Sequence, residues 1–348
     1  MDLYVVVLRT PSGAVFQKGH SLLIHYGGSS GPRNVKFQTL YGDRGLGSET
    51  IIDLCIAVTG SAKDLQSAIH EFANTAQGAT SIVSLGSNTP IEQPPIVELA
   101  YDVTPEFNEH DYFQRKMPEL PVQILPGRRT DPASLTKLFE ALGSHPKVNR
   151  LMRAAAHYNL ALSYWQPGKE LIALNHLWIA AETLTPVAQH RELKKHCVEE
   201  DGLYEKWQID PQDKKANWKT KLAAEVRRRI LFQGDDECYQ LAKKASDGFE
   251  HGYMAFPDLH AHAGQSRDRT AAYVRTAIFD LAGIGGNLLE ALLRPPFDKP
   301  LERWNPVFQI WGKLAGCVED LAPAGDEHPS MEWQTGKVTA KPVDDQII

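Results

Sequence analysis

Short apolar runs separated by clusters of Gly, Ser, Pro and Asn make up residues 1–125 of the chain. Their length and their content of Val, Ile and aromatic residues favour β-strands; the runs are Leu3–Leu8, Ser21–Tyr26, Val35–Tyr41, Ile51–Thr59 and Val97–Val103. The spacing also predicts a helix over Asp64–Ala76 and a further strand over Ser81–Leu85. We therefore expect a small α+β module with a mostly antiparallel sheet.

The period becomes helical after a proline-punctuated segment that begins at Pro118 and ends with Gly127-Arg128-Arg129. Apolar residues then recur three or four positions apart, as on one face of a helix; they are Val148, Leu151, Met152, Ala155, Tyr158, Leu162 and Trp165. We predict a domain boundary in this segment. The chain then divides into a module over residues 1–125, an all-α bundle over residues 133–298 and an extension over residues 299–348.

Later segments predict the remaining helices of this bundle. Lys169–Leu184 is apolar nearly all round, as a central buried helix would be. Further helices are expected around Trp218–Ile230 and Asp235–Phe249, and a last long one from Ser266 to Leu292, with Gly283, Gly285 and Gly286 inside it for close helix packing. In the extension, Trp304–Leu314 predicts a short satellite helix, and the polar composition after Pro323 predicts a loose tail.

Composition narrows the class of protein. The 37 basic and 43 acidic residues give a net charge of −6, which excludes a protein that coats nucleic acid by bulk charge. The four cysteines form no C-x-x-C pair, so neither a disulfide framework nor a zinc site built on paired cysteines is expected. Because the start of the chain lacks a basic leader and no apolar window is long enough to span a bilayer, we expect a cytoplasmic protein without membrane contact.

The segment Lys243–Gly252 carries the strongest chemical signal. If its helix persists to His251, then Lys244, Asp247 and His251 share one face at spacings of three and four. A carboxylate beside an imidazole suits general acid–base catalysis near neutral pH. The alternative is a helix-terminal histidine whose protonated form is favoured by the helix dipole.

Two segments resemble the HEPN fold. Ala173–Glu182, with its Leu-Trp-Ile-Ala-x-Glu run, is similar to the second helix of the Apea-like branch, and Ser246–Gly252 resembles the J protein of methylamine-utilisation clusters. The likeness covers roughly residues 135–295. It implies a helical bundle that forms a homodimer with facing motifs, and in many members a ribonuclease that needs neither metal nor cofactor.

The ribonuclease motif of that family is an arginine, four to six residues, and a histidine. His251 matches its end, but the possible arginine positions hold Ser246, Ala245 and Lys244. Lysine lacks the planar fork with which arginine grips two phosphate oxygens. We therefore expect a dimeric, non-catalytic binding or assembly module for RNA or protein; the alternative is a metal-independent endoribonuclease with His251 as general acid/base and Lys244, Asp247 and Glu182 around it.

Basic and acidic residues outside the motif complete the candidate site. Arg229 borders the apolar stripe of its helix, so it could supply the missing guanidinium, while Arg227 and Arg228 are expected to face solvent. Together with Lys243 they form the expected RNA-binding set. Glu182 stands in an apolar helix and would need a partner there, either Arg229 or a lysine of the motif helix.

His260 and His262 follow the motif closely and are added to the RNA-binding set. An H-x-H pair can bind a metal if His251 or Asp258 supplies a third ligand, but a loop packed beside the motif, with one histidine lining its groove, is the favoured interpretation. We predict neither a resident metal nor a cofactor. The glycine-rich segment Gly42–Ser48 lacks the Gly-Lys-Ser/Thr ending of a phosphate-binding loop.

Overall fold

The computed structural model describes residues 2–28, 31–43, 49–105, 110–115, 127–209 and 221–302. Side chains of residues 28, 42, 43 and 49–52 are not described. The predicted satellite helix at Trp304–Leu314, the tail after Pro323, Trp218 and most of the proposed linker lie outside the described residues. Met1–Arg303 form one compact unit.

Eight strands lie among the described residues: β1 Asp2–Thr10, β2 Ala14–Val15, β3 Leu22–Gly28, β4 Gly31–Asp43, β5 Glu49–Ala62, β6 Ile96–Asp102, β7 Tyr112–Gln114 and β8 Arg128–Arg129. Six of them form one antiparallel sheet in the order β3-β4-β5-β1-β6-β7. The other two, β2 and β8, form a parallel pair. The five predicted strands before the linker are all present, so the antiparallel sheet is confirmed.

One face of the sheet is buried under a long helix, α1, which spans Leu65–Ser87. Side chains of β1 alternate in burial, and Val6 and Leu8 on the covered face are fully buried. The predicted strand at Ser81–Leu85 is wrong, because these residues form the second half of α1. A short apolar run buried on every side shows no period, so the sequence cannot separate a strand from a helix there.

Nine helical segments follow the sheet or pack on it among the described residues. After α1 they are α2 Pro132–Gly143, α3 Val148–Ser163, α4 Glu170–His196, α5 Glu200–Lys206, a helix at residues 221–226 (α6) that passes into a π-helical turn at Arg227–Leu231, α7 Asp236–His251, α8 Phe256–Leu281 and α9 Gly286–Leu293. The α+β class, with an antiparallel sheet followed by helices, is therefore confirmed.

The last long helix differs from the prediction at both ends. It begins at Phe256 instead of near Ser266, with a proline in its first turn, where the missing N–H costs nothing. It ends at Leu281, because Gly283 and Gly286 have φ values of +74° and +57° that break the helix. Apart from its chain neighbours, no described residue has an atom within 4 Å of where a Cβ on Gly283 would stand, so among these residues the glycine does not serve close helix packing.

The sheet and the helices share one hydrophobic core. Arg275 of α8 is 1% exposed, and its guanidinium donates to the carbonyls of Leu85 at 3.0 Å and Gly86 at 3.1 Å, near the end of α1. The Tyr158 hydroxyl of α3 donates to Asn88 just beyond α1, at 2.8 Å. Because α1 also covers the sheet, these bonds tie both halves of the chain to one element.

Candidate functional site

The motif helix α7 reaches His251, as the shared-face prediction requires. Asp235 caps its first turn by accepting from the Cys238 N–H at 3.1 Å. Gly252 ends it with φ +65°, and its N–H bonds to the Gly248 carbonyl at 3.0 Å. Lys244, Asp247 and His251 therefore do lie along one side of a single helix.

These three side chains do not form a preorganised acid–base group. Lys244 and His251 are exposed and Asp247 is half-buried. None of the three makes a hydrogen bond or ion pair with any other residue that the structure describes. The imidazole of His251 thus lacks the carboxylate partner that would fix its tautomer.

Glu182 is not the buried carboxylate that its apolar helix suggested. Its side chain is 46% exposed, and its Oε1 lies 3.5 Å from Nη1 of Arg227, not near Arg229 or a lysine of α7. The predicted burial and the predicted partners are both wrong. On α4, Glu182 follows Trp178 by one turn, so both side chains face the same neighbour.

The arginine triplet shows the reverse of the predicted exposure. Arg227 is the most buried, with 13% of its side chain exposed, compared with 26% for Arg228 and 37% for Arg229. A π-helical turn begins at Arg227, whose carbonyl accepts from the Phe232 N–H five residues on. The extra residue in this turn moves Arg229 out of the α-helical register that placed it beside the apolar stripe. Arg227 precedes the extra residue and packs against Trp178 of α4.

Carboxylates already pair with the guanidinium groups of Arg228 and Arg229, the two more exposed arginines of the triplet. Arg228 donates to Glu225 at 2.7 Å and to Asp236 at 2.7 Å, and Arg229 donates to Glu225 at 2.6 Å. Burial raises the pKa of Glu225, but the hydrogen bonds from both arginines outweigh it and hold that pKa below its ordinary value. A phosphate would have to compete with Glu225 and Asp236 for these guanidinium groups. The triplet is therefore not an open phosphate-binding patch.

The predicted loop with His260 and His262 is also wrong, because both residues lie in the first turns of α8. Two positions on an α-helix differ by about 200°, so the two imidazoles point to different sides. His260 packs edge-on against Phe256, with ring centroids 4.6 Å apart. Among the described residues, no group of three or more His, Cys, Asp or Glu side chains could hold a metal ion.

An exposed aromatic cluster surrounds the turn between α7 and α8, and sequence analysis missed it. Phe249 is 48% exposed, and Tyr253 and Phe256 are each 62% exposed. We call this surface the α7–α8 corner. A Cβ on Gly248 would lie 2.7 Å from the Leu259 side chain, so the corner depends on a close approach of α7 and α8. The signal in the sequence was three aromatic rings within eight residues around a glycine.

A second missed feature lies where α4, the π-helical turn and α7 meet. The guanidinium carbon of Arg227 stands 5.4 Å from the ring centroid of Trp178. Tyr239 of α7 is 3% exposed and packs on the same ring at 5.8 Å. Both Nε of Arg227 and the hydroxyl of Tyr239 are buried without a hydrogen-bond partner among the described residues.

Three stacked rings form a third cluster between α3 and α4. His176 lies between His157 and Tyr164, with ring centroids 5.8 and 5.7 Å away. Burial lowers the pKa of both histidines, and the charge of Arg153 lowers that of His157 further. Nδ1 of each imidazole is buried, and no described residue offers it a hydrogen-bond partner. The two imidazoles are therefore favoured in their neutral forms.

In comparisons with known proteins, no protein-family model, curated protein or solved structure matches the chain. The HEPN resemblance therefore stays a prediction.

In the part of the chain that the structure describes, no helix is long and apolar enough to span a membrane.

Proposed function

We propose that this protein is a HEPN-like, non-catalytic assembly module that pairs with a second copy of itself through the α7–α8 corner. The observation that carries the proposal is the group of exposed rings of Phe249, Tyr253 and Phe256. Large aromatic side chains are enriched at protein interfaces, where they bury much area and lose little conformational entropy. Grouped at one turn, they favour a docking surface over scattered surface residues.

The charges around the corner favour a second copy as the occupant. Lys244, Glu250 and Asp258 are all exposed on the two helices that form the corner. In a two-fold symmetric dimer the same patch meets itself, so each patch must contain both halves of every complementary pair. A surface with both signs around an apolar centre meets that requirement. RNA would instead require a predominantly basic patch.

The state of the polar residues supports a role without catalysis. His251 has no carboxylate partner among the described residues, and Arg228 and Arg229 are held by Glu225. The motif itself contains no arginine. Stabilising a phosphorane-like transition state would need positive charge placed in advance beside the general base. Lys244 shares a side of α7 with His251, but it is exposed and no other described residue holds it, so its charge is not placed in advance.

The oligomeric mass tests the proposal. We expect light scattering at micromolar concentration to give the mass of a dimer for the unmodified chain and of a monomer after combined Phe249→Ser, Tyr253→Ser and Phe256→Ser substitution. Tyr112→Ser is the matched control, because Tyr112 is 73% exposed but lies on β7, away from the corner. A monomeric unmodified chain, or a triple variant that remains dimeric, would contradict the proposal.

A second candidate function is metal-independent RNA cleavage with His251 as general acid/base. One observation favours it: Lys244, Asp247 and His251 share a side of α7 and are not engaged with other described residues. Cleavage of RNA by the purified chain in the presence of a chelator, lost on His251→Ala, would support it. General acid–base groups contribute about 10²–10⁴-fold in rate, so the loss would be plain. An inert unmodified chain would exclude it.

A further inference from the structure

The junction of α4, the π-helical turn and α7 contains more hydrogen-bond donors than acceptors. Arg228 and Arg229 each have a carboxylate oxygen at 2.7 Å or less. Arg227 has the Glu182 oxygen at 3.5 Å, beyond the usual range for a strong charged hydrogen bond. Its guanidinium also lies beside the Tyr239 hydroxyl and partly offsets the rise in pKa that burial causes there. Within the triplet, Arg227 is thus the most buried guanidinium and the least satisfied one.

Two donors at this junction have no acceptor among the described residues: Nε–H of Arg227 and O–H of Tyr239. Tyr239 is 97% buried, since 3% of its surface is exposed, so bulk water does not supply the missing acceptor. Buried donors in native structures nearly always have a partner, and exceptions often mark an ordered water or ion. The unmatched group is cationic and donor-only, so the partner it favours is an anion.

The surroundings of Arg227 orient its guanidinium for such a partner. The Trp178 ring lies beneath it at 5.4 Å, which holds the plane by a cation–π contact. Glu182, the carboxylate nearest to it among the described residues, is 46% exposed and held at 3.5 Å, so it can be displaced at low cost. A phosphoryl group has more charge and more acceptor oxygens than that carboxylate.

We propose that this junction binds a phosphate-type oxyanion, with Arg227 and Tyr239 donating to it and Glu182 as the carboxylate that it displaces. The proposal goes beyond the assembly role and does not depend on it, because it involves no residue of the α7–α8 corner. Arg227 and Glu182 belong to the residue sets predicted for RNA, but all three residues of this site lie outside the motif segment, since Tyr239 is two helical turns from Asp247.

Calorimetric titration with inorganic phosphate at constant ionic strength tests the site. We expect saturable binding by the unmodified chain and binding up to about fivefold tighter by Glu182→Gln, the factor that corresponds to removing one competing surface ion pair. Glu237→Gln is the matched control. It makes the same charge change beside Arg269, which Asp235 still holds. Its affinity for phosphate should stay within about twofold of the unmodified chain.

Variants of the two donors complete the test. Arg227→Lys should weaken phosphate binding about tenfold or more, and Tyr239→Phe about fivefold, because each removes a hydrogen bond to a charged ligand. If Arg227→Lys fails to fold, two other measurements decide whether the site exists. They are the phosphate affinity of Tyr239→Phe and the difference in phosphate affinity between Glu182→Gln and Glu237→Gln. Absence of saturable binding by both the unmodified chain and Glu182→Gln, or equal affinity in the donor variants, would overturn the site. Light scattering on the same samples separates this outcome from loss of the dimer.

Discussion

Two buried arginines that bond to backbone carbonyls stabilise the interior of this protein. Arg275 donates to four carbonyls, those of Leu85, Gly86, Leu292 and Phe297. Arg128 donates to Ser87, Asn88 and Lys299. The last carbonyls of a helix lack partners in the helix itself and carry partial negative charge. Each guanidinium is thus matched to helix ends instead of to a carboxylate.

Burial disfavours the charged form of Arg275 and lowers the pKa of its guanidinium to about 10. We expect Arg275→Met to lower the free energy of unfolding by about 2–4 kcal/mol, because the carbonyls at two helix ends lose their donor. Chemical denaturation monitored by circular dichroism measures this. Arg191→Met is the control: Arg191 is 37% exposed and pairs with Asp280 on α8 at 2.6 Å, so its loss should cost less than about 1 kcal/mol. Equal losses in both variants would contradict the role given to Arg275.

At the scale of elements, the sequence predicts the two ends of helix α7 well but does not predict the π-helical turn before it. Its ends are marked by local chemistry, an aspartate that caps the first turn and a glycine with positive φ after the last. The π-helical turn before it carries no such local signal. It forms because Leu231 and Phe232 enter the core with Leu222 and Val226, and that packing takes up the extra residue.

The contact between α3 and α4 makes stability depend on pH through His157 and His176. Both folded-state pKa values lie below the ordinary value, so on acidification the unfolded chain binds protons first. The free energy of unfolding should therefore fall as pH drops through about 6.5 and continue to fall until the folded-state values are passed. His157→Phe keeps a ring in the stack but cannot titrate, so its thermal midpoint should change less between pH 7.5 and 5.5. An unchanged pH dependence in this variant would argue against the coupling.

At the scale of the whole molecule, α1 belongs both to the sheet and to the bundle. It covers one face of the sheet, packs on α3, and its end is held by Arg275 of α8. The predicted boundary near residue 126 lies between these parts in the sequence, and whether they fold separately stays a prediction. Because α1 packs against both the sheet and the bundle, cleavage of the chain between these two parts has a definite expected result.

We expect limited proteolysis to cut between Pro118 and Ala133, on the proline-punctuated side that precedes the paired strand β8, and after Pro323. Because α1 is buried against α3 and α8, the two large fragments from the first cut should remain associated. Gel filtration without denaturant followed by denaturing electrophoresis measures this. Fragments that separate without denaturant would show that the bonds across the boundary contribute little.

The sequence by itself determined the features that depend on local chemistry. Strands β1 and β5 follow from short runs rich in Val, Ile and aromatic residues, and α7 follows from its capping residues. That no arginine stands four to six residues before His251, as the HEPN resemblance would require for cleavage, is likewise read from the sequence alone. In each case the responsible interactions span only a few residues.

Tertiary structure alone decided the features that depend on what a segment packs against. Ser81–Leu85 is helical because it is buried between the sheet and the bundle, where a strand and a helix have the same apolar pattern. Arg229 leaves the apolar stripe because a π-helical turn shifts the register. Arg227 is largely buried because Trp178 and Glu182 of α4 lie against it. The aromatic rings of the α7–α8 corner are exposed because the faces that α7 and α8 bury in the core are different ones. None of these outcomes follows from neighbours in the sequence, since each depends on contacts between residues that are far apart along the chain.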